Sequence, residues 1–91
     1  MSNIHIERSH HLGIENARAQ VEELAQSLRD ELHADYQWNG DSLVFKRSGA
    51  SGTIDVSADR IRVDIELDLM LSLMKGILED RIKRRLDAAL G

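Results

Sequence analysis

The spacing of the hydrophobic residues constrains this chain most, because it changes from a strand period to a helical period and back. Ile4 and Ile6 alternate with polar residues, which predicts a short first strand with one buried face. From residue 14 the apolar residues recur at helical spacing, which predicts an amphipathic helix. The apolar stripe of this helix consists of Ile14, Ala17, Val21, Leu24, Ala25, Leu28 and Leu32.

A period of two returns after this helix and predicts four strands in two hairpins. The Asn-Gly dipeptide at 39–40 is a turn sequence that tolerates positive φ at both central positions. A two-residue loop there would place Trp38 opposite Asp41 and Tyr36 opposite Leu43. All three aromatic residues of the chain then share one side of the sheet; they are Tyr36, Trp38 and Phe45.

The second predicted hairpin follows a segment rich in small residues. Residues 46–52 contain two glycines and two serines and are predicted to form a loop. The next two alternating runs pair well when residues 58–59 form the turn, because Val56 then faces Ile61 on the buried side. This register also brings opposite charges together on the other side of the sheet.

The last segment, from about residue 69 to residue 90, is predicted to be a second helix. One apolar stripe should pack it on the sheet: Leu71, Met74, Leu78, Ile82, Leu86 and Ala89. A second apolar set with a basic border is the candidate interaction surface; it consists of Met70, Leu73 and Ile77, bordered by Arg81 and Arg84. Such a surface is typical of helices that bind a partner or an interface. The alternative is that the first helix, or a second copy in a homodimer, covers this set.

These elements predict one α+β domain over residues 1–91, since 91 residues leave room for a single core. The element order is β-α-β-β-β-β-α. Hairpins need no helical crossover, so we expect an antiparallel sheet of about five strands with two helices packed on one face. The other face should be exposed, with Lys46, Asp55, Arg60, Arg62, Asp64 and Glu66.

Composition and motifs exclude several classes of chemistry. The chain has no cysteine, which removes disulfides, thiolate catalysis and cysteine-ligated metal centres. The four histidines lack metal-ligand spacing, and His10 and His11 are predicted to form a polar connection between strand and helix. Nucleophile-elbow and phosphate-loop motifs are also absent from the sequence. We therefore assign no catalytic, cofactor-binding or metal-ligating residue and expect no enzymatic activity and no cofactor.

Charge and hydropathy bear on partners and location. Residues 70–91 hold five basic and three acidic residues, whereas the rest holds seven basic and thirteen acidic ones, for a net charge of −4. This balance disfavours nucleic acid as a partner. A bilayer span needs about 20 mostly apolar residues, which no stretch provides, and the first residues lack the pattern of a secretory signal. We expect a cytoplasmic protein without a transmembrane segment.

Several stretches spread over the chain carry a family resemblance: HIERSHHLG at 5–13, FKRSG at 45–49 within 38–52, GTIDV at 52–56, IRV at 61–63 and MKG at 74–76. Together they resemble the polyhydroxyalkanoic acid system protein family, also described as a polyhydroxyalkanoate granule-region family of proteobacteria. The family is named for genes near those that make this storage polyester. The resemblance implies a cytoplasmic context near the granules and transfers no catalytic residue.

Two functional hypotheses follow. The first is a non-enzymatic accessory protein of polyhydroxyalkanoate storage, whose partner is the granule surface or a granule protein. The second is a small lipid- or hydroxyacyl-binding domain, because the element order is similar to a shortened helix-grip domain. In that case the aromatic face of Tyr36, Trp38 and Phe45 would hold an acyl chain under the final helix.

Overall fold

The computed structural model describes residues 2–90 and has the predicted α+β fold, with one antiparallel five-stranded sheet. In chain order the elements are β1 (Ser2–Ser9), α1 (Ile14–Leu32), β2 (Asp35–Asn39), β3 (Ser42–Arg47), β4 (Ala50–Val56), β5 (Arg60–Leu67), α2 (Leu69–Ser72) and α3 (Lys75–Leu90). None of the helices in residues 2–90 is long and apolar enough to span a membrane.

The strand order is β1-β5-β4-β3-β2. Strands β2 to β5 form a meander, and the last of them, β5, pairs with β1 at the other edge of the sheet. The β4–β5 hairpin has the predicted register, with Val56 opposite Ile61 and Asp55 opposite Arg62. Because side chains alternate along each strand, one face of the sheet is apolar and faces the helices, and the other carries the charged residues.

The β2–β3 hairpin uses a different turn from the predicted one. Its loop is Gly40-Asp41, and Trp38 pairs with Leu43 rather than with Asp41. Gly40 has a φ of +64° and Asp41 has no positive φ, so this loop needs glycine only at its first central position. The pairing shifts by two residues, which keeps Tyr36 on the predicted face because the side-chain period is two.

The predicted loop over residues 46–52 is wrong. β3 and β4 are joined by a two-residue turn that contains Gly49, with φ of +87°, and the residues after this turn belong to β4. Gly52 pairs with Phe45, and a Cβ on Gly52 would lie 2.7 Å from the Phe45 ring and 2.6 Å from the Asp64 carbonyl oxygen. This glycine therefore permits close packing inside a strand instead of marking a loop.

α1 follows the predicted stripe and packs on the sheet. It ends at Leu32 because His33 adopts a left-handed conformation and its N–H donates to the Arg29 carbonyl at 3.0 Å. Its buried residues are Ala17, Val21, Leu24, Ala25 and Leu28. The sheet completes the core with side chains that are almost fully buried, among them Ile4, Ile6, Leu43, Ile54, Ile61 and Val63.

The predicted final helix is two helices separated by a turn at residues 73–74. At this turn the Leu73 and Met74 N–H groups donate to carbonyls three residues back, at 3.4 and 2.9 Å, a tighter winding than in an α-helix. Gly76, a weak helix former, follows directly. Of the predicted packing stripe, Ile82 and Leu86 are buried, Leu71, Leu78 and Ala89 are half-buried, and Met74 is 45% exposed.

Candidate functional site

Exposed apolar side chains are concentrated on α2 and the start of α3. We call this surface the α2–α3 patch; it consists of Leu69, Met70, Leu73, Met74 and Ile77, which are 77%, 80%, 88%, 45% and 60% exposed. Among the large apolar residues of 2–90, only Val44 is also exposed, at 37%. A patch of this kind is typical of surfaces that contact a partner or an interface.

The predicted surface residues Met70, Leu73 and Ile77 are therefore uncovered in this chain, and α1 does not pack over them. Sequence reasoning missed Leu69 and assigned Met74 to the buried stripe. Met74 still lies on the side of the sheet with Leu71 and Leu78, but the turn at 73–74 leaves it 45% exposed. The neighbouring Gly76 was the feature of the sequence that could have indicated a break in the helix.

The basic residues beside the patch are engaged in ion pairs. Arg84 Nε lies 2.9 Å from an Asp80 carboxylate oxygen, and Arg81 Nη1 lies 3.4 Å from Glu31 of α1. Glu31 also accepts a hydrogen bond from Arg85. These pairs are exposed and of low energy, and they reduce the net positive charge at the border of the patch.

α2 is held in place by bonds at its first residues. The Asp68 carboxylate accepts from the Leu71 N–H at 2.9 Å and caps the helix, while the Asp68 N–H donates to the Gly49 carbonyl at 2.9 Å. On the other side, the Ser2 hydroxyl donates to the Ser72 hydroxyl at 2.8 Å. The α2–α3 patch thus sits on a segment tied both to the β3–β4 turn and to β1.

The three predicted ligand-facing aromatics occupy two different environments. Tyr36 and Trp38, on the edge strand β2, both donate to the Glu22 carboxylate of α1, Trp38 Nε1 at 2.9 Å. The Arg18 guanidinium lies 4.6 Å from the centre of the Trp38 ring. Phe45 is buried in the core instead. Tyr36 pairs with Phe45 across β2 and β3, so the rings share the predicted face of the sheet but differ in burial and in bonding partners.

The contact between Glu22 and β2 shifts the pKa of both acidic groups. The Tyr36 hydroxyl that donates to Glu22 lowers the pKa of this carboxyl, helped by Trp38 and opposed by partial burial. The same bond raises the pKa of the Tyr36 phenol, because ionisation would place two anions together. Both shifts arise from a contact that fixes α1 to the edge of the sheet.

A small apolar cavity lies between the sheet and the α2–α3 turn. Its volume is about 80 Å³, and it is lined by twelve apolar residues and Arg47. Phe45 contributes to this lining, whereas Tyr36 and Trp38 do not. Leu71 and Met74 contribute from the helix side, so the cavity reaches the segment that carries the α2–α3 patch.

His10 is buried, which the sequence did not predict. Only 3% of it is exposed; its Nδ1 accepts from the Leu12 N–H at 3.2 Å, so Nε2 donates to the Ser57 carbonyl at 3.1 Å. Its own backbone N–H donates to the Asp59 carbonyl. His10 thus joins the β1–α1 connection to the β4–β5 turn. Within residues 2–90, no group of three or more histidine or acidic side chains is arranged to hold a metal ion.

A family model described as "Putative polyhydroxyalkanoic acid system protein" matches residues 4–90. The chain belongs to this family. The match runs from β1 to α3 and confirms the resemblance found in the sequence. Membership in the polyhydroxyalkanoic acid system family indicates a role in the polyhydroxyalkanoate system. Comparisons with curated proteins and with solved structures found no match.

Proposed function

We propose that the protein is a non-enzymatic accessory protein of polyhydroxyalkanoate storage that binds the granule surface through the α2–α3 patch. The observation that carries this proposal is the concentration of exposed apolar side chains in residues 69–77 of a member of a polyhydroxyalkanoate family. The proposal implies a cytoplasmic protein whose work is done at the surface of the storage polymer.

The chemistry of the patch suits an irregular apolar partner. Its two methionines are flexible and adapt to uneven surfaces, and Leu73, at its centre, is 88% exposed. Burial of an apolar side chain contributes about 1.5–3 kcal/mol. Three or four such side chains would contribute roughly 5–12 kcal/mol before the cost of immobilising the protein. That amount supports reversible binding without a covalent or catalytic step.

The non-enzymatic part of the proposal is supported by the structural role of the two groups whose pKa values are shifted. The carboxyl of Glu22 and the phenol of Tyr36 have shifted pKa values, and shifted values are common at catalytic sites. Here each shift is explained by a bond between the two groups that fastens α1 to β2.

Fractionation of polymer-accumulating cells tests the proposal. The tagged chain should be recovered with granules, and Leu73→Asp should reduce this recovery about tenfold or more, because a carboxylate loses its hydration in an apolar contact. Ala88→Asp is the matched control: Ala88 is exposed and lies on the same face of α3 as Ile77, three helical turns further on. Equal granule recovery of wild type and Leu73→Asp would contradict the proposal.

The alternative is that a second copy of the chain covers the α2–α3 patch in a homodimer. Light scattering on the purified chain distinguishes this homodimer from binding to the granule surface. A monomeric wild type supports the granule surface as the partner of the patch. A dimer that becomes monomeric in Leu73→Asp, combined with absence from granules, would assign the patch to self-association and overturn the proposal.

A second candidate function, a small lipid- or hydroxyacyl-binding domain, is favoured by one specific observation. The apolar cavity of about 80 Å³ lies under the final helices, where this hypothesis places a ligand. Of the three aromatics that the sequence suggested for ligand binding, Phe45 lines this cavity.

A further inference from the structure

We propose that the apolar cavity beneath the α2–α3 turn binds the short alkyl tail of a small carboxylic acid, whose carboxylate pairs with Arg47 at the cavity edge. This inference deepens and rests on the second candidate function; it shares Met74 with the α2–α3 patch but does not require docking through that patch. The lining of the cavity, its size and its single charged residue define the ligand.

The lining comes from every layer of the fold and is almost entirely apolar. Leu28 contributes from α1, Phe45 and Ile65 from the sheet, and Leu71 and Leu78 from the last two helices. A buried water needs two to four polar partners, so a cavity of this composition is a poor site for water and a good one for hydrocarbon. The ligand portion that enters it is therefore an alkyl group.

The size of the cavity limits the length of that alkyl group. Apolar cavities of roughly 150 Å³ in other proteins stay dry and accept benzene. The cavity here is about 80 Å³, so by proportion it accepts about three or four carbon atoms. With the carboxyl carbon and one carbon at the cavity edge, the preferred acid has about five or six carbons.

Arg47 gives the site its charge preference. This residue is half-buried and its guanidinium donates to two neutral acceptors, the Leu32 carbonyl from Nη1 and the Ser48 carbonyl from Nε, both at 3.1 Å. The other half-buried arginines Arg8, Arg18 and Arg85 each lie within 4 Å of a carboxylate, whereas Arg47 has no such partner among residues 2–90. The carboxylate of an acid bound at the cavity edge would form the ion pair that Arg47 does not make within the chain.

Access to the cavity is provided by the turn between α2 and α3. Met74 lies in this turn, lines the cavity and is 45% exposed. Its unbranched side chain has about three rotatable bonds, so a change of rotamer can open the cavity without moving the sheet. The bonds at Asp68 and Ser72 hold the neighbouring turn of helix during this motion.

Titration of the full chain with straight-chain acids of three to ten carbons, followed by ¹H–¹⁵N NMR, tests the inference. We expect saturable shifts around the cavity and an affinity that peaks at about five or six carbons. Ala50→Leu places extra atoms in the cavity and should weaken binding at least tenfold. Met74→Trp enlarges a lining residue at the entrance that is 45% exposed, and it should have the same effect without replacing a fully buried side chain.

Arg47→Met keeps the apolar stem and removes the charge. It should weaken binding of the acid about tenfold while leaving the primary alcohol of equal length within twofold. Affinity that rises steadily to ten carbons and is unchanged in Ala50→Leu and Met74→Trp would show adsorption elsewhere and overturn the inference. Leu73 does not line the cavity, so Leu73→Asp should bind the acid normally, and failure of either proposal is visible without the other.

Discussion

The sheet and the α2–α3 segment differ in how far they bury their leucine side chains. Leu43 on β3 is fully buried and pairs with Trp38 and Ile54 of the neighbouring strands, whereas Leu73 between α2 and α3 is 88% exposed. Both regions are anchored by hydrogen bonds, so the difference is not one of order against disorder. It teaches that the apolar residues of the sheet serve the fold, while those of the α2–α3 patch need an explanation from function.

The largest effect should come from truncating the buried member of this pair. Leu43→Ala removes a fully buried side chain and should lower the free energy of unfolding by about 2–5 kcal/mol. Leu73→Ala, the matched substitution at the exposed position, should stay within about 0.5 kcal/mol of wild type. Urea unfolding of the three proteins measures both values, and similar losses in the two variants would remove the distinction between the regions.

Gly52→Ala should follow in size. Its Cβ would lie 2.6 Å from the Asp64 carbonyl oxygen, and overpacking of this kind costs about 1–3 kcal/mol. Gly76→Ala is the control, since a Cβ there meets nothing within 4 Å and alanine is the better helix former by up to about 1 kcal/mol. Thermal unfolding should therefore move in opposite directions in the two variants; a neutral Gly52→Ala would contradict the packing described for β4.

The contact between α1 and β2 predicts a smaller, pH-dependent effect. Glu22→Gln should cost about 0.5–1 kcal/mol at pH 7 because the acceptor loses its charge in a partly exposed site. The fold lowers the pKa of Glu22, so its contribution to stability is full at neutral pH and is lost as the pH falls through that lowered pKa.

Unfolding curves of wild type and Glu22→Gln from pH 7 to pH 2.5 should therefore converge at the acid end. Glu23→Gln is the control, because Glu23 is exposed and accepts no side-chain hydrogen bond from β2. A difference between wild type and Glu22→Gln that stays constant over this range would contradict the assigned cause.

The smallest effect on stability is expected at the centre of the α2–α3 patch. Leu73→Asp should change the free energy of unfolding by no more than about 0.5 kcal/mol, since the side chain makes few contacts in the fold. Circular dichroism should show unchanged helix content. A large loss of stability would mean that Leu73 is covered in solution, as it would be in a stable homodimer.

The sequence predicted the parts of the fold that depend on periodicity. The α1 stripe follows from helical spacing. The β4–β5 register follows from strand spacing, because a slip of one residue would expose every apolar side chain of the strand. The turns were harder to predict. Gly52 lies in a segment with the composition of a loop, but it belongs to β4, where a side chain would collide with the Phe45 ring. Local composition does not reveal a cross-strand neighbour.

The candidate site also has parts that spacing predicted and parts that depend on contacts between distant residues. Met70, Leu73 and Ile77 were found because they fall outside the packing stripe. Met74 lies on the stripe side as predicted, but it is 45% exposed because helical spacing does not predict the turn at 73–74. The contact of Glu22 with β2 and the burial of His10 depend on residues far apart in the chain. The cavity likewise depends on how the sheet, α1 and the last two helices meet, which periodicity does not describe.

The most direct test of the central claim is sedimentation of the purified chain with washed polyhydroxyalkanoate particles that carry no other protein. The account predicts that wild type and Ala88→Asp pellet with the particles and that Leu73→Asp stays in the supernatant. If wild type stays in the supernatant, or if Leu73→Asp pellets as wild type does, the α2–α3 patch is not the surface that contacts the polymer.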